Sequence, residues 1–227
     1  MWANTTVDVV MLSVCKDQSS YDMTRQAIRT LHLSEREYNF NIWLIETNTN
    51  YLEEGFFLPN AIVITPDTEF GYNKYLNIGL SNCNSKYTVI ANNDLIFEKD
   101  WFSNITNAME SSNLDTASPY NPGWALHAGC DHGVHEGITV SKHICGWCMV
   151  LNKRAYDCMY PLDEQFLFWG QDDDMKMIIQ NNNLNHGLVG ESHVKHLVSQ
   201  SHRFVPPDKH HLMLEGGCET FHKKWDI

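Results

Sequence analysis

The 227-residue chain has no run of about 18 apolar residues, so nothing in it reads as a membrane span. Its opening, MWANTTVDVVMLSV, lacks the basic segment and cleavage site of a secretory leader, and its apolar part reads as a first strand. Positive charge is scarce: 16 Lys and Arg against 28 Asp and Glu give a formal charge of −12. Such a surface repels a nucleic-acid backbone, so DNA binding requires a local basic patch. It also repels a nucleotide diphosphate unless a cation intervenes. One unit charge at ~4 Å, in an effective dielectric near ~20, is worth about 4 kcal/mol. A divalent ion is therefore the natural partner of a phosphate here. An even cysteine framework is missing as well. Seven cysteines and no leader imply reduced thiols and a cytoplasmic protein. Internal repeats and low-complexity linkers are absent, and 43% hydrophobic content fits one globular domain.

What is present is an alternation. Residues 7–14 (VDVVMLSV), 40–47 (FNIWLIET), 61–66 (AIVITP) and 86–91 (KYTVIA) read as strands. Between them, 21–34 and 74–83 carry apolar residues at helical spacing, the second with Tyr75, Ile78 and Gly79 inward. Residues 100–112 form a third helix, with Asp100 as N-cap and Phe102, Ile105 and Met109 on one face. Strands alternating with short helices predict a parallel α/β sheet. Ligands in such sheets sit beyond the carboxyl ends of the strands, where Glu46-Thr47-Asn48 and Asn92-Asn93-Asp94 should face one crevice. The second half reads differently: 113–142 irregular, 143–153 a strand, a loop entering a helix near Asp172, short strands and a His-rich turn over 186–204, then a tail from 205.

Four stretches, EFGYNKYLNIGL (69–80), VIANNDLIF (89–97), CGWCMVLNKRAYD with PLDEQFLFWGQDDDM (145–157, 161–175) and VKHLVSQSHR (194–203), together resemble the GT-A glycosyltransferases of the family-2, rhamnosyltransferase-like type. The resemblance implies a Rossmann-like α/β fold with a mixed, mainly parallel sheet flanked by helices and a smaller acceptor-side lobe. Residues 1–97 would form the nucleotide-sugar half and 98–227 the acceptor half of one domain. It implies Mn²⁺ or Mg²⁺ held by Asp94, at the last carboxylate of the family's Asp-x-Asp motif, whose Asn-Asn-Asp variant this chain carries. A hard cation takes oxygen ligands and keeps waters, so one or two carboxylates plus phosphate suffice. His196 takes the family's metal-side histidine, with His193 and His202 as competitors. Asp172 takes the place of the general base; Gln171 stands where the family has Glu. Asp173 and Asp174 should raise the pKa of Asp172. Trp169, with Gln171 and Asp173, falls on the acceptor side, whereas Phe168 suits core packing. Donor contacts fall on Ser13, Glu46, Asn73, Asn77, Asn92, Asn93, Gly146 and Trp147, Asn77 being the closer of the two α-helical asparagines to the family pattern.

The implied reaction is an inverting transfer from a nucleotide sugar, with a UDP-sugar the expected donor, to a hydroxyl on a saccharide or a hydroxymethylated DNA base. Lys142, Lys153, Arg154, Lys195 and Arg203 are the patch that DNA would need. Plain alternatives stand beside each motif. Asn92–Asp94 reads as an Asx turn, and Asp172–Asp174 as an acidic helix start favoured by the helix dipole. Two other functions fit the same residues: a nuclease or phosphatase using Asp94, Asp172 and Asp174 around two ions, or a sugar-binding module needing no metal. Four of Cys130, His132, His135, Cys145 and Cys148 would also suffice for tetrahedral zinc. That geometry requires Gly146 to bulge, since Cys145 and Cys148 otherwise point to opposite faces of a strand.

Overall fold

A computed structural model describes residues 5–197 and 207–227. Its centre is a mixed nine-stranded sheet flanked by helices. Strand β1 (Thr5–Ser13) lies parallel between β2 (Tyr38–Glu46) and β4 (Tyr87–Asn92), and β3 (Ile62–Ile64) extends β2. The chain runs outward through β2 and β3, then returns to place β4 on the other flank of β1. That reversal is a topological switch, the position beyond whose strand tips open α/β sheets take their ligands.

The apolar runs bury both faces of these strands by simple alternation. Val7, Val9 and Met11 of β1, with Val89 and Ala91 of β4, pack against α1 (Gln18–Ser34) and α3 (Trp101–Ser111). Val10 and Ile90 point the other way, onto α2 (Tyr72–Leu80), α4 (Lys153–Met159) and α5 (Gln171–Asn181). Each such side chain contributes roughly 1.5–3 kcal/mol when fully buried. Gly79 costs α2 some helix propensity, yet a Cβ there would overlap the Val10 side chain. Its absence lets α2 lie close on β1. Asp100 does precede α3, but in a left-handed conformation (φ 62°) without a capping hydrogen bond. Glu35 caps that helix instead: its Oε1 accepts the amides of Phe102 and Ser103 at 2.7 and 2.9 Å.

Beyond β4 the sheet departs from the purely parallel expectation. Strand β8 (Cys148–Asn152) pairs antiparallel with β4, and β6 (Thr116–Tyr120) pairs antiparallel with β8 and parallel with β9 (His186–His196). The short β7 (Val134–Glu136) and β5 (Leu95–Phe97) both pair antiparallel with β9. Residues 113–142 therefore hold two strands and are not wholly irregular. The segment 143–153 is a strand only from Cys148; 186–196 is one long strand. The tail forms helix α6 (Pro207–Trp225). One sheet crosses the boundary at residue 97. No helix among the described residues is long and apolar enough to cross a membrane.

Candidate active site

The β5–β9 ladder sets Leu95 opposite His196, and the Leu197 amide donates to the Asp94 carbonyl at 2.9 Å. This register brings His196 to the tip of β4. Its Nε2 stands 3.2 Å from Asp94 Oδ1, and its ring stacks on Trp147 with centroids 5.3 Å apart. Asp94 is 4% exposed, and Oδ1 is not aligned with any hydrogen-bond donor: the contact with His196 has ion-pair distance without hydrogen-bond geometry.

Other buried carboxylates show what a structural role looks like. Asp8 accepts from Asn41 and Trp43 at Oδ1, and from Asn84 N–H, Ser85 N–H and Ser85 Oγ at Oδ2. Burial raises its pKa, but these hydrogen bonds win and hold it below the ordinary value. Asp115 is likewise tied to Asn152, Arg154 and the Asn185 amide. Asp94 keeps an oxygen open at the strand tip. A buried acceptor without a donor costs about 1–3 kcal/mol, a cost that a cation or a ligand donor would relieve. Two ligands at right angles on an ion with ~2.1 Å bonds stand ~3 Å apart. The Asp94–His196 pair matches that spacing. Among the described residues no group of three or more His, Cys, Asp or Glu could hold a metal, so other ligands to an ion here would come from the substrate or water.

The second carboxylate enters from α5. Gly170 takes the left-handed conformation (φ 84°) that turns the chain into the helix, and Asp172 comes to rest against Gly146. A Cβ on Gly146 would overlap the Asp172 carboxylate, so glycine is required for this contact. Burial, then the charge of Asp173, raise the Asp172 pKa from 3.8 to about 6, against a lowering hydrogen bond from the Gly146 amide. Asp174 takes no part in that shift. It is 1% exposed and bound by Lys224 Nζ at 2.8 Å and Trp225 Nε1 at 2.9 Å. Tyr72 joins the two halves of the site. Its phenol is pushed up by burial, then by Asp172 and Asp94, and its hydroxyl lies 3.4 Å from Asn92 Oδ1. The carboxylates of Asp94 and Asp172 thus act on one common neighbour.

The other expected residues divide. Asn92 and Trp147 lie side by side, joined by the Asn92 N–H bond to the Trp147 carbonyl at 2.8 Å. Asn93 turns inward and donates to Thr24 Oγ1 at 2.8 Å, with Ser13 Oγ at 3.2 Å from the same atom. Glu46 is fully enclosed. Its Oε1 accepts the amides of Cys15 and Asn48, bracing the tips of β1 and β2 where a direct donor contact was expected, while Oε2 has no donor. Asn77 also corrects the expectation. Both ends of its amide bind the Leu162 backbone, with a further bond to Glu164, so it pins the 162–164 loop. Asn73 holds the Asp163 carbonyl through Nδ2, leaving Oδ1 without a donor, as is Gln171 Oε1. Trp169 and Phe168 form an edge-on pair that continues through Tyr72 and Phe70 as an aromatic wall. Asp173 is half-buried beside Asp172.

The zinc arrangement does not assemble. Residues 145–148 form a turn closed by the Cys148 N–H to the Cys145 carbonyl; Cys148 enters the core and Cys145 Sγ meets His127 Nε2 at 3.5 Å. His132 is 85% exposed at its side chain. The three-carboxylate, two-ion arrangement fails too, because Lys224 and Trp225 occupy Asp174. In the proposed basic patch, Lys153 pairs with Asp157 and Arg154 with Asp115, both at 2.7 Å. His202 and Arg203 lie outside the described residues. His193, the other competitor, pairs with Glu98 at 3.4 Å.

Tyr72, Asn121, Lys224 and Trp225 are the additions. Asn121 Oδ1 receives the His196 amide at 3.3 Å. Tyr72 falls within the stretch 69–80, one residue before Asn73, but nothing local signals that it feels the charge of both carboxylates. Scanning the chain against known family models and the curated proteins returns no match.

Proposed function

We propose that this chain is an inverting, metal-dependent glycosyltransferase with a GT-A fold, transferring a sugar from a nucleotide sugar, with UDP-sugars first among donors, to a saccharide hydroxyl. One observation carries the reading: a buried Asp94 oxygen without a hydrogen-bond donor, 3.2 Å from His196 Nε2, at the topological switch of the sheet. Asp94 and His196 would hold Mn²⁺ or Mg²⁺, whose positive charge would offset that of the departing diphosphate. Asp172 serves as general base. With its pKa raised to about 6 it is ionised at neutral pH, yet a better proton acceptor than an ordinary aspartate. The acceptor oxygen bonds to the anomeric carbon as the sugar–phosphate bond breaks, and the hydroxyl proton passes to Asp172. A single displacement of this kind inverts the anomeric centre.

A saccharide is preferred over modified DNA on electrostatic grounds. The chain carries −12 overall, and Lys153 and Arg154 are already paired with carboxylates. The wall formed by Phe70, Tyr72, Phe168 and Trp169 suits the apolar face of a sugar ring. The test is a thermal-shift screen of nucleotide sugars with and without manganese, followed by an assay of nucleoside diphosphate release. The reading predicts manganese-dependent stabilisation by at least one nucleotide sugar and its loss in Asp94→Asn. Stabilisation by none, or phosphodiester hydrolysis in its place, would refute it.

A further inference from the structure

The last turn of α6 reaches into the segment that carries Asp172. Lys224 Nζ lies 2.8 and 3.0 Å from the two oxygens of Asp174 and 3.1 Å from Asp163 Oδ2. Its ammonium also stands 5.4 Å from the ring centre of the buried Phe166. Trp225 Nε1 donates to Asp174 Oδ1 at 2.9 Å. One helical stretch earlier, Gly217 is pressed against Trp169: a Cβ there would overlap the Trp169 carbonyl, and a Cβ on Gly170 would meet the Gly217 carbonyl. Helix α6 thus grips residues 163–174 at Asp163, Phe166, the Trp169–Gly170 peptide and Asp174.

This grip matters because α5 starts without a side-chain cap. Its N-cap is Gly170, which has no side chain to cap with, and the first turn carries Asp172, Asp173 and Asp174. The helix dipole favours those charges but does not set the rotation of the turn. Asp172 and Asp174 belong to one hydrogen-bonded turn, so what fixes one carboxylate fixes the direction of the other. We propose that Lys224 and Trp225 are positioning residues of the cleft: by holding Asp174 they set the rotation of the first turn of α5 and keep Asp172 on the Gly146 amide. The catalytic part of this inference rests on the base role given to Asp172; the mechanical coupling does not.

The test reads both parts. Lys224→Met removes the ammonium, Trp225→Phe is a milder change that deletes only the indole N–H, and Lys224→Arg is the conservative replacement. Amide hydrogen exchange at Gly146 reports the Asp172 contact, while Val89 in the central sheet reports global opening. The coupling predicts at least tenfold faster exchange at Gly146 in Lys224→Met and Trp225→Phe, with Val89 unchanged. In the transfer assay kcat falls at least tenfold, donor KM stays within twofold, and Lys224→Arg recovers most of the rate. Unchanged exchange at Gly146 in both variants overturns the coupling. So does equal acceleration at Gly146 and Val89, which marks a purely global stabilising role. Selective loosening of Gly146 in a protein that turns over no nucleotide sugar would leave the coupling standing and remove the functional reading. Active wild-type protein whose Lys224→Met and Trp225→Phe variants both match it in kcat and in Gly146 exchange would remove the coupling alone.

Discussion

Replacing Asp172 with Asn should stabilise the protein as it removes the proposed base. The carboxyl pKa rises on folding from 3.8 to about 6, mainly through burial and the charge of Asp173. A group whose pKa is raised by folding stabilises the fold while protonated, and that contribution is lost as pH rises through about 6. About two pKa units correspond to ~3 kcal/mol. Asp172 is half-buried and keeps some contact with solvent, so screening reduces the effect, and ~1–3 kcal/mol is the expected range. Asparagine has nearly the same shape and can still accept the Gly146 amide. The gain should therefore appear near pH 7.5 and vanish near pH 4. Thermal unfolding reads it: each kcal/mol moves Tm by roughly 2–4 °C in a chain of this size. Asp174, two residues on, provides the opposite sign. Removing it takes away an acceptor shared by the Lys224 ammonium, which keeps Asp163, and the Trp225 N–H, and Asp174→Ala should cost about 1–3 kcal/mol. Destabilisation by Asp172→Asn at neutral pH, or a gain independent of pH, would refute the reasoning.

Further expectations use other parts of the structure. Gly146→Ala should displace Asp172, lowering the transfer rate at least as far as Asp172→Asn and costing ~1–3 kcal/mol of stability by denaturant titration. The pH–rate profile should rise through about pH 6 as Asp172 ionises and should lose that limb in Asp172→Asn. Acid should unfold the protein through its buried histidines. His186, bonded to Thr116 Oγ1 and the His143 carbonyl, is lowered to about 4, chiefly by burial, and His127 is lowered likewise. Stability should fall as pH drops from about 6.5 toward 4, by on the order of 3 kcal/mol for His186, and His186→Gln should flatten that slope.

Much of this fold lay open in the chain. The runs at 7–14, 40–47 and 86–91 are apolar on both faces, as central strands must be, and α3 shows its buried stripe of Phe102, Ile105 and Met109. Strand β6 was hidden because Pro119 argues against a strand interior. The sheet accepts it beside a register shift between Pro119 and Tyr120. At 143–153, Gly146 forms a tight turn within what reads as a continuous strand, and the helix after Asn152 escapes notice, although Asn152 caps it through the Ala155 amide. In the site, Asp94 and Asp172 stand out as acidic residues at a strand tip and a helix start. Asn77 and Glu46 share the polar character of ligand contacts but brace the backbone, which only long-range packing reveals. Tyr72 and Lys224 act through contacts far along the chain; the Lys224–Asp174 bond spans 50 residues.

The most direct test of the central claim is calorimetric titration of UDP into the wild-type protein, Asp94→Asn and Asp172→Asn, with and without manganese. The account predicts that binding requires manganese, that Asp94→Asn weakens it at least tenfold, about 1.4 kcal/mol, and that Asp172→Asn binds like wild type. UDP binding that is equally tight without metal, or indifferent to Asp94→Asn, would contradict it.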